Sequence, residues 1–166
     1  MSFFKNIFSS KKRHQANEDA AKLAQQIFQP KDLLFSETLR SIELDYDLMS
    51  LKELDYYLLK IRLHFQIKNQ DAKSMMQKGV VMNELTPVIL SVGAYLGETL
   101  RQQNKKLNWA ENTQTMHDGT DAPSFAVLIL TDQTNTTSPM QEVINFICSQ
   151  QQPDSLYVYA ENFLKN

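Results

Sequence analysis

Two glycines one helical turn apart, Gly93 and Gly97, interrupt an apolar stretch that reads TPVILSVGAYLGETLRQQNKKLNW from Thr86 to Trp109. Thr86-Pro87 is a helix-start signal, with threonine as N-cap and proline at the first helical position. Val88, Ile89, Val92, Leu96 and Leu100 form the apolar seam of that helix. Each glycine costs about 1 kcal/mol of helix propensity relative to alanine. The pair therefore predicts that another backbone, or a large ring, closely approaches the smooth face they leave. Asn104-Lys105-Lys106 ends the helix with positive charge at its carbonyl end. Leu107 to Glu111, around Trp109, reads as a short strand. The rest of the chain can pack on this segment or close over it.

A helix over Ala16 to Phe28 buries Ala20, Leu23, Ala24, Ile27 and Phe28, with Asn17 as N-cap, Glu18 and Asp19 in its first turn, and Pro30 as its stop. Residues 40–46 lean to extended structure. Ser50-Leu51-Lys52-Glu53 reads as a capping box opening a helix whose core stripe is Leu51, Leu54, Leu58, Ile61 and Phe65. Tyr57 and Leu63 widen its buried face. SFAVLILT, Ser124 to Thr131, is a continuous apolar run bounded by Pro123 and Asp132. It predicts a central strand covered on both faces. Gln133 to Thr137 reads as a polar loop, and Ser138-Pro139-Met140-Gln141 as a capping box with proline at the first helical position. Leu156, Ala160, Phe163 and Leu164 suit a final helix, although SLYVYA alone also fits a strand.

Together these elements predict a single α+β domain over residues 16–166, with several helices packed on a small antiparallel sheet. A chain of 166 residues can bury a real core. Its four glycines argue against glycine-rich phosphate loops. The net charge is −2, but the first thirteen residues carry Lys5, Lys11, Lys12 and Arg13 with no acid, so the remainder carries −6. A basic tail on an acidic body with scattered basic residues is a poor match to nucleic acid. Residues 1–15 form that tail. On a helix, Phe3, Phe4, Ile7 and Phe8 share one face, which makes them candidates for weak contact with an anionic membrane surface. No apolar run reaches the roughly 18 residues of a membrane span. The single cysteine, Cys148, reads as a small buried hydrophobe and fits a reducing compartment, so a cytoplasmic location is expected.

Catalytic signatures are absent from the sequence. His14, His64 and His117 lack metal-ligand spacing with one another or with Cys148, and no metal or cofactor is expected. There is no nucleophile elbow, zinc-protease helix or dinucleotide fingerprint. The remaining route to an enzyme is a carboxylate pair. Asp45 and Asp47 flank Tyr46, and Asp55 and Glu98 are the pair on which a hydrolase or transferase would rest, if they converged on a cleft.

LDYDLMSLKELDYYLLKIR (Leu44–Arg62) and VGAYLGETLRQQNKKLNW (Val92–Trp109) carry a combination of Ser-Leu-x-x-Leu-Asp with Gly-Ala-Tyr-Leu-Gly-Glu-x-x-Arg and a following tryptophan strand. This combination resembles a pattern of small bacterial cytoplasmic domains that carry no assigned activity. The matching positions are Ser50, Leu51, Leu54, Asp55, Gly93, Tyr95, Gly97, Glu98, Arg101 and Trp109. Asn104-Lys105-Lys106 departs from the glycine-containing turn common in that pattern. The resemblance implies an accessory or immunity-like protein that binds another protein and performs no chemistry. Tyr95, Glu98, Arg101, Trp109 and Asp55 are thus the candidate binding residues. Tyr95 with Glu98, and Glu98 with Arg101, are spaced to pair on one helix edge.

Overall fold

The computed structural model describes residues 13–67, 82–111, 128–149 and 154–165. The membrane-contact candidates Phe3, Phe4, Ile7 and Phe8 lie outside the described residues, as do His117 and the first half of the run from Ser124. Among the described residues, six helices pack on a three-stranded antiparallel sheet, the expected α+β architecture. Helix α1 is Arg13–Gln25, continued by a 3-10 turn at Gln26–Phe28; α2 is Ser36–Arg40, α3 Ser50–Ile67 and α4 Met82–Gln103. Strands β1 (Asn108–Glu111), β2 (Leu128–Thr131) and β3 (Thr136–Thr137) follow, then α5 (Pro139–Cys148) and α6 (Leu156–Lys165). No helix among the described residues is long and apolar enough to cross a membrane.

Helix α4 is the hub: α1, the 3-10 turn, α5 and α6 all pack against it. Every residue from Val88 to Gly97 on it is buried. The two glycines explain how so much can crowd around one helix. A Cβ added at Gly93 would lie 2.8 Å from the Cα of Met140 on α5. One added at Gly97 would lie 2.1 Å from Cζ2 and 2.4 Å from Cη2 of the Trp109 indole. The glycine pair thus admits one backbone and one large ring, the two kinds of neighbour its cost in helix propensity predicts.

The sheet brings that ring to its seat. In β1–β2 pairing Trp109 stands opposite Leu130, and both are wholly buried, so one face of the sheet closes on α4. Strand β2 is central, but its side chains alternate between buried (Leu128, Leu130) and half-buried (Ile129, Thr131). The expectation of cover on both faces is corrected accordingly. The expected polar loop 133–137 instead contains β3, paired with β2 through Leu130↔Thr137 and Thr131↔Thr136. Asp132 makes this tight hairpin possible: its Oδ1 accepts from the Thr134 and Asn135 amides at 3.0 and 2.8 Å, while Gln133 takes a left-handed φ of 82°.

Helix existence agrees with the sequence pattern, whereas the start signals act differently. Helix α4 is already formed at Met82, so Pro87 lies inside it and Thr86 is not its N-cap. A proline there cannot donate to the carbonyl of Asn83, a loss limited by its place near the amino end. Asn17, Glu18 and Asp19 lie within α1, which runs from Arg13, so Asn17 does not cap it. Ser138 precedes Pro139 as expected, but its hydroxyl makes no capping bond and is buried without a hydrogen-bond partner. Residues 40–46 are not extended. They hold the end of α2, a turn at Ser41 and bends at Ile42, Asp45 and Tyr46. Segment 156–160 is helical, which excludes the strand alternative.

The glycine geometry sets an expected outcome. On an exposed helix, Gly→Ala raises stability through propensity. Here Gly97→Ala must push the indole off its seat, and the overpacking cost is expected to exceed the gain, lowering stability by about 1–3 kcal/mol. Urea unfolding of the variant checks this; an unchanged or raised midpoint contradicts it.

Candidate functional site

The five candidate binding residues divide into two places. Four gather around the carboxyl half of α4, and Asp55 stands apart. Trp109 and Tyr95 are wholly buried, and Glu98 and Arg101 keep 16% and 25% of their side-chain surface exposed. Glu98 Oε1 accepts from the Trp109 indole N–H at 2.7 Å and from Arg101 Nη1 at 2.8 Å. The Arg101–Glu98 pairing is the one expected from their spacing. Arg101 Nε also reaches the Leu107 carbonyl at 3.4 Å, tying the helix end to the strand that follows. A buried indole N–H without an acceptor would cost about 1–3 kcal/mol, so the carboxylate satisfies a donor that the packing forces inside.

The expected Tyr95–Glu98 pair does not form. The Tyr95 hydroxyl accepts from the backbone N–H of Tyr46 at 2.8 Å and shares a hydrogen bond of 2.7 Å with Ser50 Oγ. The physical reason is that α3's amino end and the preceding loop cover Tyr95 and offer it two closer polar groups. Ser50, read as half of a capping box, spends its hydroxyl on Tyr95 and on the Asp47 carbonyl at 2.6 Å. Burial pushes the Tyr95 hydroxyl above its ordinary pKa, and those hydrogen bonds partly offset this.

Tyr46 is the residue that the sequence reading passed over. Its φ of 62° lies in the left-handed region, costly for a bulky side chain. Three contacts hold it there: the Tyr95 hydroxyl on its amide, its ring stacked on Tyr95 at 4.6 Å and 18°, and Phe28 against it at 5.6 Å. Burial pushes the Tyr46 hydroxyl up to about 12, helped by the negative charge of Glu98 nearby. Phe28 also touches Tyr95 at 6.0 Å yet is 45% exposed. Asp45 Oδ1 accepts from the Asp47 amide at 2.9 Å and Asp47 Oδ1 from the Met49 amide at 3.1 Å, two successive Asx turns that lead into α3. Alternating aspartates around a tyrosine, read as turn formers, were the signal available for this loop.

Asn17, first read as a helix cap, is a tie between α1 and the sheet. Its Oδ1 accepts from the Trp109 backbone N–H at 2.8 Å and its Nδ2 donates to Asn108 Oδ1 at 3.3 Å.

Asp55 belongs to a different structure. Its carboxylate accepts from the Leu156 amide at 2.8 Å and from Ser155 Oγ, so it closes the amino end of α6. Ser155 Oγ in turn accepts from the Tyr157 amide at 3.1 Å. Negative charge at a helix amino terminus is favourable. Asp55 and Glu98 are thus each taken up by different partners among the described residues. Among the described residues no cluster of three or more His, Cys, Asp or Glu is arranged to hold a metal ion.

No protein-family model, curated protein sequence or solved structure matches the chain.

Burial raises the pKa of Asp55 above its ordinary 3.8, with the bonds from Ser155 and Leu156 acting in the opposite direction. An acid raised in the folded state favours folding when protonated. Its contribution is complete below the unfolded pKa and is lost as pH rises through the folded one. Asp55→Asn cannot titrate, so the stability of wild type relative to this variant is expected to fall as pH rises from below 3.8 towards neutrality. Urea unfolding of both proteins across that range checks the sign; a difference that grows with pH contradicts it.

Proposed function

We propose that this protein is a non-catalytic binding protein that acts by contact with another protein, and that the edge formed by Phe28, Tyr46, Glu98 and Arg101 faces its partner. The observation that carries the reading is the conformation of Tyr46. A large aromatic residue is held at a left-handed φ of 62° by a wholly buried tyrosine, while Phe28 beside it stays 45% exposed. Backbone strain of this kind costs on the order of 1–3 kcal/mol and persists where the surroundings over-determine it. An exposed aromatic ring, packed on a half-buried one beside a charge pair, is of the composition favoured at interfaces.

Asp45 and Asp47 are exposed on the same loop. The complementary partner surface is therefore apolar at its centre and basic at its rim. The internal saturation of Trp109, Glu98 and Arg101 supports a supporting role for them in place of a chemical one. The motif resemblance to bacterial cytoplasmic domains points the same way, towards an accessory or immunity-like protein working in the cytoplasm.

The experiment is affinity capture with the full-length protein from its native cells, with cross-linking to locate the contact. Wild type is expected to retain a stoichiometric partner. Phe28→Ser and Tyr46→Ser are expected to weaken retention by about tenfold or more, the scale of an interface anchor. Exposed Gln102→Ala is the control. Unchanged near-ultraviolet circular dichroism of Phe28→Ser separates lost binding from lost folding. Equal retention by both variants, or no stoichiometric partner in any growth phase, overturns the reading.

A further inference from the structure

Helix α3 carries two seams. The buried one is Leu51, Leu54, Leu58, Ile61 and Phe65, each no more than 2% exposed. The other faces outward and runs Lys52, Tyr56, Leu59, Leu63 and Gln66, all exposed, in steps of four, three, four and three. That spacing is the repeat by which one helix packs along another. Its apolar members are not marginal: Tyr56 is 62% exposed, Leu59 41% and Leu63 45%, with Met49 at 55% in the turn just before the helix. Four of the six large hydrophobic side chains exposed among the described residues, Met49, Tyr56, Leu59 and Leu63, lie on or just before this one helix.

The pattern is self-complementary. Place a second copy of α3 antiparallel, with a two-fold axis through Tyr56. Tyr56 then meets its own copy, and Met49 of each chain comes level with Leu63 of the other. Residues on one flank of an antiparallel pair face the same flank of the partner helix. On one flank stand Glu53 and Lys60, and the axis brings Glu53 within about one residue rise, 1.5 Å, of the level of the other chain's Lys60. Two opposite-charge pairs result, one at each end of the contact. At the amino end of the row Lys52 comes within about one residue rise of the level of Leu59 of the other chain, where its stem can cover the leucine.

Among the described residues, the neighbouring elements hold the cations that border this row. Lys60 Nζ is held on its flank by Thr38 Oγ1 at 2.9 Å and over the Phe35 ring at 5.4 Å. Lys52 is drawn to the opposite flank over the Tyr157 ring at 4.2 Å. Both cations therefore border the apolar row without crossing it.

We propose that α3 is the two-fold interface of a homodimer of this chain, built on Met49, Tyr56, Leu59 and Leu63 and bordered by Glu53–Lys60 pairs between the chains. An 18-residue helix is about 27 Å long. Two such faces bury roughly 1,000 Å² in total, the small end of specific interfaces, so the association is weak and reversible, in the micromolar range. The dimer is independent of the Tyr46 edge: either can fail without the other.

Sedimentation equilibrium of the full-length chain tests it. Wild type is expected to approach twice its 19.2 kDa mass at concentrations up to several hundred micromolar. Tyr56→Glu and Leu63→Glu lie at exposed positions and are expected to raise the dissociation constant by about 100-fold or more, the effect of an unpaired charge at an interface centre. Glu53→Lys and Lys60→Glu singly weaken the dimer, and the double swap restores it. In a Cys148→Ser background, mixed Met49→Cys and Leu63→Cys chains cross-link to each other with a short bismaleimide, and neither does so alone. Thermal melts of the dilute variants that match wild type show that folding is intact. A wild-type chain that stays at 19.2 kDa overturns the proposal, whether its face is covered by another part of the chain or kept for a different protein. Dimers that survive both glutamate substitutions, or a double swap no better than the singles, overturn it equally.

Discussion

One contact organises the molecule: the Trp109 ring lying against Gly97 with its N–H on Glu98. The ring can sit there only because residue 97 has no side chain, and it can be buried only because a carboxylate takes its donor. The strand that carries it is tied to α1 by Asn17 and to the end of α4 by Arg101. Remove the seat and four elements lose their common reference. The second glycine does the same for α5, whose backbone at Met140 comes within reach of α4. A helix with a smooth face on two successive turns can thus receive a sheet and a helix without either standing off.

This arrangement also accounts for the buried polar groups near the hub. A buried hydroxyl or indole N–H needs a partner. Tyr95 finds one in Ser50 and another in the Tyr46 amide. Tyr57 donates to the Leu34 carbonyl at 2.7 Å, and Thr99 returns its hydroxyl to the Tyr95 carbonyl one turn back at 2.9 Å. The core is therefore specified by donors and acceptors as much as by volume, and the pairings of Tyr95 and Tyr57 cross between different elements. Tyr46 bears the strain of this economy, its amide reaching Tyr95 from a left-handed backbone.

What could be read from the sequence follows from physical range. The apolar stripes of α3 and α4, the demand of the glycine pair for close neighbours, and proline at the start of α5 are local signals, and each appears in the structure. Thr86 is no cap because α4 already runs from Met82, whereas Asn17 and Ser50 share a different reason. Short polar side chains near a helix start are suitable caps, but the same hydroxyl or amide can satisfy a group on another element. Local spacing does not reveal which wins. The pairing of Tyr95 with Glu98 failed in the same way, because a helix edge predicts neighbours only when nothing else covers it. Asp55 was singled out by motif alone, and its partner stands 101 residues away. The β2–β3 hairpin was hidden by its shortness, since two threonines give no periodicity.

The separations in these ties have a kinetic meaning. Asn17 meets Trp109 across 92 residues, and Asp55 meets Leu156 across 101. Closing a loop of that length costs about 4 kcal/mol in chain entropy from the length-dependent part alone. Helix-rich domains fold quickly when their contacts are local. Here the helices can form early, and the Trp109 ring lies close in sequence to its seat on Gly97, whereas the tie from Asn17 to the Trp109 strand must wait for α1 to arrive. Assembly is then governed by the search that brings Asn17 to the backbone of Trp109, and the fluorescence of that single indole reports the moment of arrival.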